Sequence, residues 1–139
     1  MTSKRLDHFG KVNRDRIVSF TWEHKKYFGY EGDSLASALL ANDIKVVGRS
    51  FKYHRPRGIM SCGVEESGAL VTVGQGNRRD PNVRATTQEL YEGLVASGQN
   101  AFPSVNFDFG AVTGLLSRFF AAGFYYKTFM GIPPFEWGK

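Results

Sequence analysis

A long loop rich in cationic and aromatic side chains follows the apolar run Ile44–Val47, and it constrains the fold more than any other feature. The loop runs from Arg49 to Gly58 and leads to Cys62, the one cysteine of the chain. Loops that carry so many charges and aromatic rings usually enclose a ligand or face a partner. What this loop contacts is therefore the main question that the sequence raises.

The segment before the loop begins with a predicted β-hairpin. Val18, Phe20 and Trp22 fall on one side of a strand over 17–22, which is rich in β-branched and aromatic residues. The chain then turns, and residues 26–30 return as the second strand.

A helix is predicted to follow the hairpin. Asp33 is its expected N-cap, because its carboxylate can accept the free amide hydrogens of the first turn. The helix starts at Ser34, stops near 42–43 and leads into a buried strand over 44–47. Its buried face is expected to hold Leu35, Ala38 and Leu39.

Beyond the loop, the pattern predicts two strands and two helices. The strands cover 69–73 and, as a short edge strand, 83–85. Thr86 and Glu89 form a capping box, so a helix is expected to follow, to bury Leu90 and Leu94, and to end near Gly98. A further helix starts after Asp108 with the cleanest amphipathic pattern in the chain, formed by Val112, Leu115, Leu116, Phe119 and Phe120.

The order of these elements predicts an α+β fold of the ferredoxin-like β-grasp type, a mixed sheet with a packed helix. A disordered or extended lead-in over 1–15 precedes this domain at 16–100, and two C-terminal helices and an extended aromatic tail complete the chain. The region 101–139 is interpreted as a helix and a docking arm. Its tail, 124–137, has six aromatic residues and no regular period, so it must pack against something, preferably another domain.

Composition limits the possible partners and compartments. No uncharged apolar run approaches the ~20 residues that a membrane span requires. No secretory signal is visible at the N-terminus and a single cysteine forbids an internal disulfide, so the expected compartment is the cytoplasm. A net charge of +5 permits an acidic partner, but nucleic-acid binding would need that charge on one face.

The cysteine spacing argues against an iron–sulfur cluster. A plant-type cluster takes thiolates at C-x4-C-x2-C and a distant fourth cysteine. Counted from Cys62, the second and third positions hold Ser67 and Leu70, and no other cysteine exists. The loop thus has the length of a cluster loop without its ligands, and Cys62 is interpreted as a small buried apolar residue.

No other motif in the chain predicts catalysis. Gly74 and Gly76 faintly resemble a dinucleotide fingerprint, but no helix follows at once, so this segment is predicted to be a turn. The three histidines are dispersed and lack a second metal ligand at a suitable spacing. We therefore predict no catalytic residue, no cofactor-binding residue and no metal ligand in this chain.

The basic loop is the candidate contact surface. Its cations alternate with aromatic rings, a mixture that can bind carboxylates of a partner subunit, a cofactor phosphate or single-stranded nucleic acid, or can simply be a solvated loop. The candidate interface residues in the loop and the tail are Arg49, Lys52, Tyr53, His54, Arg55, Arg57, Phe124, Tyr125, Tyr126 and Phe129.

Three stretches carry a family resemblance: GDSLASALLAN at 32–42, VGRSFKYHRPRG at 47–58 and GFYYKTFM at 123–130. Together they resemble the N-terminal region of the alpha subunit of heterotetrameric sarcosine oxidase. Related small subunits of hydrogen cyanide synthase and opine-oxidising enzymes keep a cysteine-ligated cluster in the equivalent domain. This chain matches only the Cys62-Gly63 start of that cluster motif.

The resemblance implies a large flavoenzyme that oxidises the N-methyl group of sarcosine and yields glycine, a one-carbon unit and hydrogen peroxide. FAD, FMN and NAD would belong to the assembled enzyme, with none of them in this chain. The expected role is that of an accessory domain or small subunit, inactive alone, that binds other subunits or the rest of an alpha subunit. The alternatives are an electron-transfer ferredoxin and a small basic nucleic-acid-binding domain; neither nucleic acid nor a membrane is the expected partner.

Overall fold

The computed structural model describes residues 4–6, 8 and 10–115, which form a mixed sheet against a short helix. The first two strands, β1 (Asn13–Trp22) and β2 (Lys25–Glu31), make the predicted hairpin. The turn between them is tight because Glu23 and His24 adopt φ values of 47° and 66°. Strand β1 begins at Asn13, inside the segment that was predicted as a disordered or extended lead-in.

The first helix, α1 (Leu35–Ala41), stops at Asn42 as predicted and buries Leu35, Ala38 and Leu39. Its N-cap is Ser34, whose hydroxyl accepts the amide of Ser37, and the prediction that Asp33 would cap it is wrong. The buried Asp33 carboxylate instead accepts hydrogen bonds from Tyr30 N at 2.9 Å and from the Ser37 hydroxyl at 2.8 Å.

The N-terminal segment is anchored to this same carboxylate. Two guanidinium nitrogens of Arg5 donate to the two oxygens of Asp33 at 2.8 and 2.6 Å. The Lys4 amide also donates to the Ala41 carbonyl at 3.0 Å. A bidentate pair of this kind is geometrically specific, and it holds the chain ahead of β1 against the start of α1.

The strand predicted over Ile44–Val47 is not formed. Ile44 N remains bonded to Leu39 O at 2.9 Å, and Asp43 has a φ of 62°, so the helix end determines the backbone here. The next strands are instead β3 (Gly48–Arg49) and β4 (Pro56–Arg57), which pair antiparallel across the base of the basic loop.

The remaining strands complete a five-stranded sheet. They are β5 (Leu70–Val73), β6 (Asp80–Arg84) and β7 (Leu94–Gly98), in the sheet order β2-β1-β7-β5-β6. Strand β7 runs parallel to β1, whereas the other neighbours are antiparallel. The strands predicted near 69–73 and, at the sheet edge, near 83–85 are confirmed, as is the mixed sheet with a packed helix.

The helix predicted from Thr86 to Gly98 is wrong, since this segment is a series of turns that leads into β7. Thr86 does not cap a helix, because its hydroxyl donates to the Gly63 carbonyl at 2.8 Å. Leu90 and Leu94 are buried as expected, but Leu94 lies in the central strand of the sheet. Leucines four residues apart therefore reach the core here from a turn and a strand.

The C-terminal part of the described chain begins as predicted. Asp108 caps a 3₁₀ turn, Phe109–Ala111, by accepting the Gly110 amide at 3.1 Å, and helix α2 (Val112–Leu115) follows. The rest of this predicted amphipathic helix and the aromatic tail lie outside the described residues. Within the described part, the structure contains no helix with the length and apolar character of a membrane span.

Candidate functional site

The positions that would ligate a cluster do not form a metal site. Cys62 is exposed, so its interpretation as a buried apolar residue is wrong. Ser67 is also exposed, and Leu70 belongs to β5 and carries no ligand atom. Among residues 4–6, 8 and 10–115, no group of three or more histidine, cysteine or acidic side chains is placed to hold a metal. The residues present therefore do not fit a four-thiolate iron–sulfur cluster.

The loop from Met60 to Ala69, here called the Glu66 loop, closes around a buried carboxylate. Glu66 is only 2% exposed. Its Oε2 accepts the amides of Met60 and Ser61, both at 2.7 Å. Its Oε1 accepts the amides of Gly68 at 2.5 Å and Ala69 at 3.1 Å. Sequence analysis missed this residue, because a single glutamate followed by Ser-Gly carries no recognised motif.

These donors keep Glu66 ionised. Burial alone would raise the pKa of Glu66, but the amides of Ser61, Met60, Gly68 and Ala69 donate to the charged form and lower its pKa from 4.5 to about 2. The group is therefore a fixed negative charge at neutral pH, and it is suited to holding a loop rather than to transferring a proton.

A second buried carboxylate fixes the basic loop. Asp108 has a fully buried side chain, and its Oδ2 lies 2.7 Å from His54 Nδ1 and 3.6 Å from Arg49 Nε. Arg49 also donates to the carbonyls of Val105 and His54, each at 2.8 Å. Burial raises the pKa of Asp108, but hydrogen bonds from the Phe102 amide, His54 and the Gly110 amide lower it overall. Arg49 and His54 thus join the loop to the 102–111 segment of the same chain.

The other loop candidates lie on the surface. Lys52, Arg55 and Arg57 are exposed, and the Tyr53 ring lies 5.6 Å from the Lys52 ammonium and 5.1 Å from the Arg55 guanidinium. The structure therefore divides the predicted interface residues of the loop into two sets. The inner pair, Arg49 and His54, contacts Asp108, and the outer group, Lys52, Tyr53, Arg55 and Arg57, lies on the surface. The four candidates from the tail, Phe124, Tyr125, Tyr126 and Phe129, lie outside the described residues.

Exposed aromatic rings adjoin the basic loop, and sequence analysis did not single them out. Phe102, Phe107 and Phe109 are 73%, 63% and 62% exposed. Phe109 is in ring contact with both of the others, at centroid distances of 6.4 and 5.2 Å. Their segment packs on the loop, since a Cβ added at Gly110 would collide with the His54 ring. Clustered exposed aromatics of this kind are typical of an interaction surface.

A polar cleft connects the two loops. It has a volume of about 390 Å³ and is lined by Arg57 and Phe51 on one side and by Ser67 and Leu70 on the other. Ser67 and Leu70, which stand at the spacing of plant-type cluster cysteines counted from Cys62, thus line a cleft shared with the basic loop. The segment at Gly74 and Gly76 is a turn, as predicted, followed by a short 3₁₀ helix.

The fold and the loop define the class to which this chain belongs: it is a member of the 2Fe-2S iron-sulfur cluster binding domain family, which it matches over residues 15–101. The resemblance to sarcosine oxidase is also confirmed. The chain is 60% identical over all 139 residues to sarcosine oxidase subunit alpha of Rhizobium meliloti (strain 1021), and it spans 14% of that protein. It is 41% identical over 90 residues to the same subunit of Corynebacterium sp. (strain U-96), covering 63% of this chain and 9% of the relative.

A solved structure shares the fold. The crystal structure of L-proline dehydrogenase from P. horikoshii superimposes with a TM-score of 0.51 at 25% sequence identity. The match covers 66% of this chain and 17% of that chain. The relatives and the solved structure are therefore all much longer than the stretch that they share with this chain.

Proposed function

We propose that this chain is an accessory, structural domain or small subunit of a sarcosine-oxidase-type flavoenzyme, which converts sarcosine to glycine by oxidative demethylation. The observation that carries the proposal is the 60% identity to a sarcosine oxidase alpha subunit across the whole chain. Its partners would be the other subunits of such an enzyme or the rest of an alpha subunit. The proposed compartment is the cytoplasm.

The described surface supports a docking role. Arg55 and Arg57 are exposed on the basic loop, and this loop packs on the segment that carries the exposed rings of Phe102, Phe107 and Phe109. Arginine and aromatic residues are enriched at protein interfaces, where arginine can form two parallel hydrogen bonds with a carboxylate. The basic loop is held by Asp108 through Arg49 and His54, which reduces the backbone conformational entropy that the loop would lose on binding.

The chemistry would take place elsewhere in the assembly. The described residues of this chain offer no group that could accept a hydride from an amine, and such transfers require a cofactor. FAD, FMN and NAD would be bound by other parts of the enzyme. We therefore expect the isolated chain to be inactive with sarcosine, and turnover by this polypeptide alone would contradict the proposal.

Co-purification tests the proposed partnership. The tagged chain is co-expressed with the flavin-carrying subunits of its operon, and we expect a yellow complex that survives size-exclusion chromatography. The double variant Arg55→Glu/Arg57→Glu should weaken complex formation by roughly tenfold or more, because it reverses the charge of the outer group. Arg78→Glu/Arg79→Glu is the matched control, since it makes the same change in net charge at two arginines that are exposed ahead of β6. A chain that remains monomeric beside every candidate subunit would refute the proposal.

Electron transfer is the second candidate, and the family match favours it, since that family is described as binding a 2Fe-2S cluster. The single exposed cysteine weighs against it, because such a cluster needs four protein ligands. Visible absorbance and iron content after anaerobic preparation separate the two candidates. A colourless chain without iron would eliminate the ferredoxin.

A further inference from the structure

We propose that Glu66 replaces the iron–sulfur cluster as the anionic centre of the Glu66 loop. This inference rests on the structural role proposed above, and it explains how a cluster-binding fold can keep its loop without the cluster. It begins from the disagreement between the family of the chain and its residues. The family binds a 2Fe-2S cluster, yet Ser67 and Leu70 stand where the second and third thiolates are needed.

The two carboxylate oxygens tie together the two ends of the loop. Oε2 accepts the amides of Met60 and Ser61, where the chain enters the loop. Oε1 accepts the amides of Gly68 and Ala69, where the chain leaves it and continues into β5. One side chain thus makes the cross-connection that cysteine ligands at both ends of a cluster loop make through the metal.

The chemistry of the donors is that of an anion site. Successive backbone amides that point into one concavity bind anions, including phosphates and iron–sulfur clusters. A thiolate-ligated cluster is itself anionic, and its sulfurs accept hydrogen bonds. In this loop four amides are directed at a carboxylate. In this structure the carboxylate therefore occupies the donors that the sulfurs of a cluster would use.

The glycine at position 68 allows the backbone to approach the Glu66 carboxylate closely. A Cβ added at Gly68 would lie 3.1 Å from Glu66 Oε1 and 2.7 Å from the Gly58 carbonyl, so only glycine fits there without a shift. The outer side of the loop is held by Arg84, whose Nε donates to the Glu66 carbonyl at 3.2 Å, and by the Thr86 hydroxyl bonded to Gly63. The Glu66 loop is therefore closed by the chain's own groups.

Substitution of Glu66 in the 139-residue chain tests the proposal, with Glu65→Gln as the matched control. Glu65 is adjacent and exposed, and its carboxylate accepts the amides of Gly63, Cys62 and Glu65 itself and the Ser61 hydroxyl, but none of the four amides that Glu66 accepts. In Glu66→Gln, we expect the NMR signals of the Met60, Ser61, Gly68 and Ala69 amides to move together, whereas Glu65→Gln moves chiefly those of Cys62, Gly63 and Glu65. Glu66→Gln should also raise the unfolding equilibrium constant by about tenfold or more at pH 7, because a buried charge-assisted network loses its charge.

A measurement on the unsubstituted chain covers the case in which Glu66→Gln does not fold. Hydrogen exchange of the same four amides is followed after treatment with an iron chelator, and again after addition of ferrous iron and sulfide. We expect equal and strong protection in both samples. Protection that depends on iron, or a folded Glu66→Gln whose four amide signals do not move, would overturn the proposal. Failure of the chain to bind a flavoprotein would refute only the docking role, since these amide readouts do not involve a partner.

Discussion

Asp108 joins the basic loop to the 102–111 segment, and its replacement should loosen both. The Asp108 side chain is fully buried, and it contacts two cationic or ionisable groups, Arg49 and His54. In Asp108→Asn the Oδ1 position can still accept the amides of Phe102 and Gly110. The other position then presents an NH₂ group to Arg49 and His54, so the charge-assisted contacts are lost.

The expected loss of stability follows from these contacts. A hydrogen bond to a charged group contributes roughly 1.5–3 kcal/mol, so Asp108→Asn should lower the free energy of unfolding by about that amount. Asp108→Ala removes every acceptor and leaves the buried cation without its counter-charge, for which roughly 3–5 kcal/mol is expected. Asp80→Asn is the control, since Asp80 is exposed at the start of β6, and a surface change of this kind stays within about 0.5 kcal/mol.

Urea unfolding followed by circular dichroism at pH 7 measures these differences. A double-mutant cycle with His54→Ala then isolates the contact, and we expect a coupling energy of at least about 0.5 kcal/mol between the two positions. If Asp108→Asn unfolds at the same urea concentration as Asp80→Asn, or if the cycle shows strict additivity, the assignment of Asp108 as the anchor of the basic loop is wrong.

Three further predictions concern pH, packing and the cysteine. The folded-state pKa of Glu66 is about 2, below its ordinary value of 4.5. The contribution of the ionised carboxylate to the free energy of unfolding is therefore fully present above pH 4.5 and is lost as the pH falls toward 2. The difference in unfolding free energy between the wild type and Glu66→Gln should shrink across that window, and a difference independent of pH would contradict this cause. Gly98→Ala should lower the free energy of unfolding by about 1–3 kcal/mol, since its Cβ would overlap Val105 in the core; unchanged thermal stability would show that the packing is looser. Cys62 is exposed, so iodoacetamide should modify it in the folded chain with little change in stability, and a Cys62 that reacts only after denaturation would refute its placement.

The strands were the most predictable part of the fold, because their side chains alternate between the core and the solvent. Phe20 and Trp22 are buried on β1, and the tight turn after them leaves little choice for the pairing of β2. The 86–98 segment was misread for an equally physical reason. Leu90 and Leu94 have helical spacing, but tertiary pairing of β7 with β1 and β5 determines its backbone, and local propensity cannot report such pairing.

The candidate site was only partly accessible to sequence analysis. The loss of cluster ligands follows from counting cysteines, so it needs no coordinates. The role of Glu66 depends on backbone amides, which every residue type carries, so the sequence contains no signal for it. The partners of Arg49 and His54 were also hidden, since Asp108 lies more than 50 positions away along the chain.

The most direct test of the account is the iron and acid-labile sulfide content of the chain purified without exposure to oxygen. The account predicts neither iron nor sulfide and no visible absorbance, because Glu66 takes up the amides of the loop and only one cysteine is present. Iron and sulfide bound in equal amounts, with the visible spectrum of a 2Fe-2S centre, would contradict it.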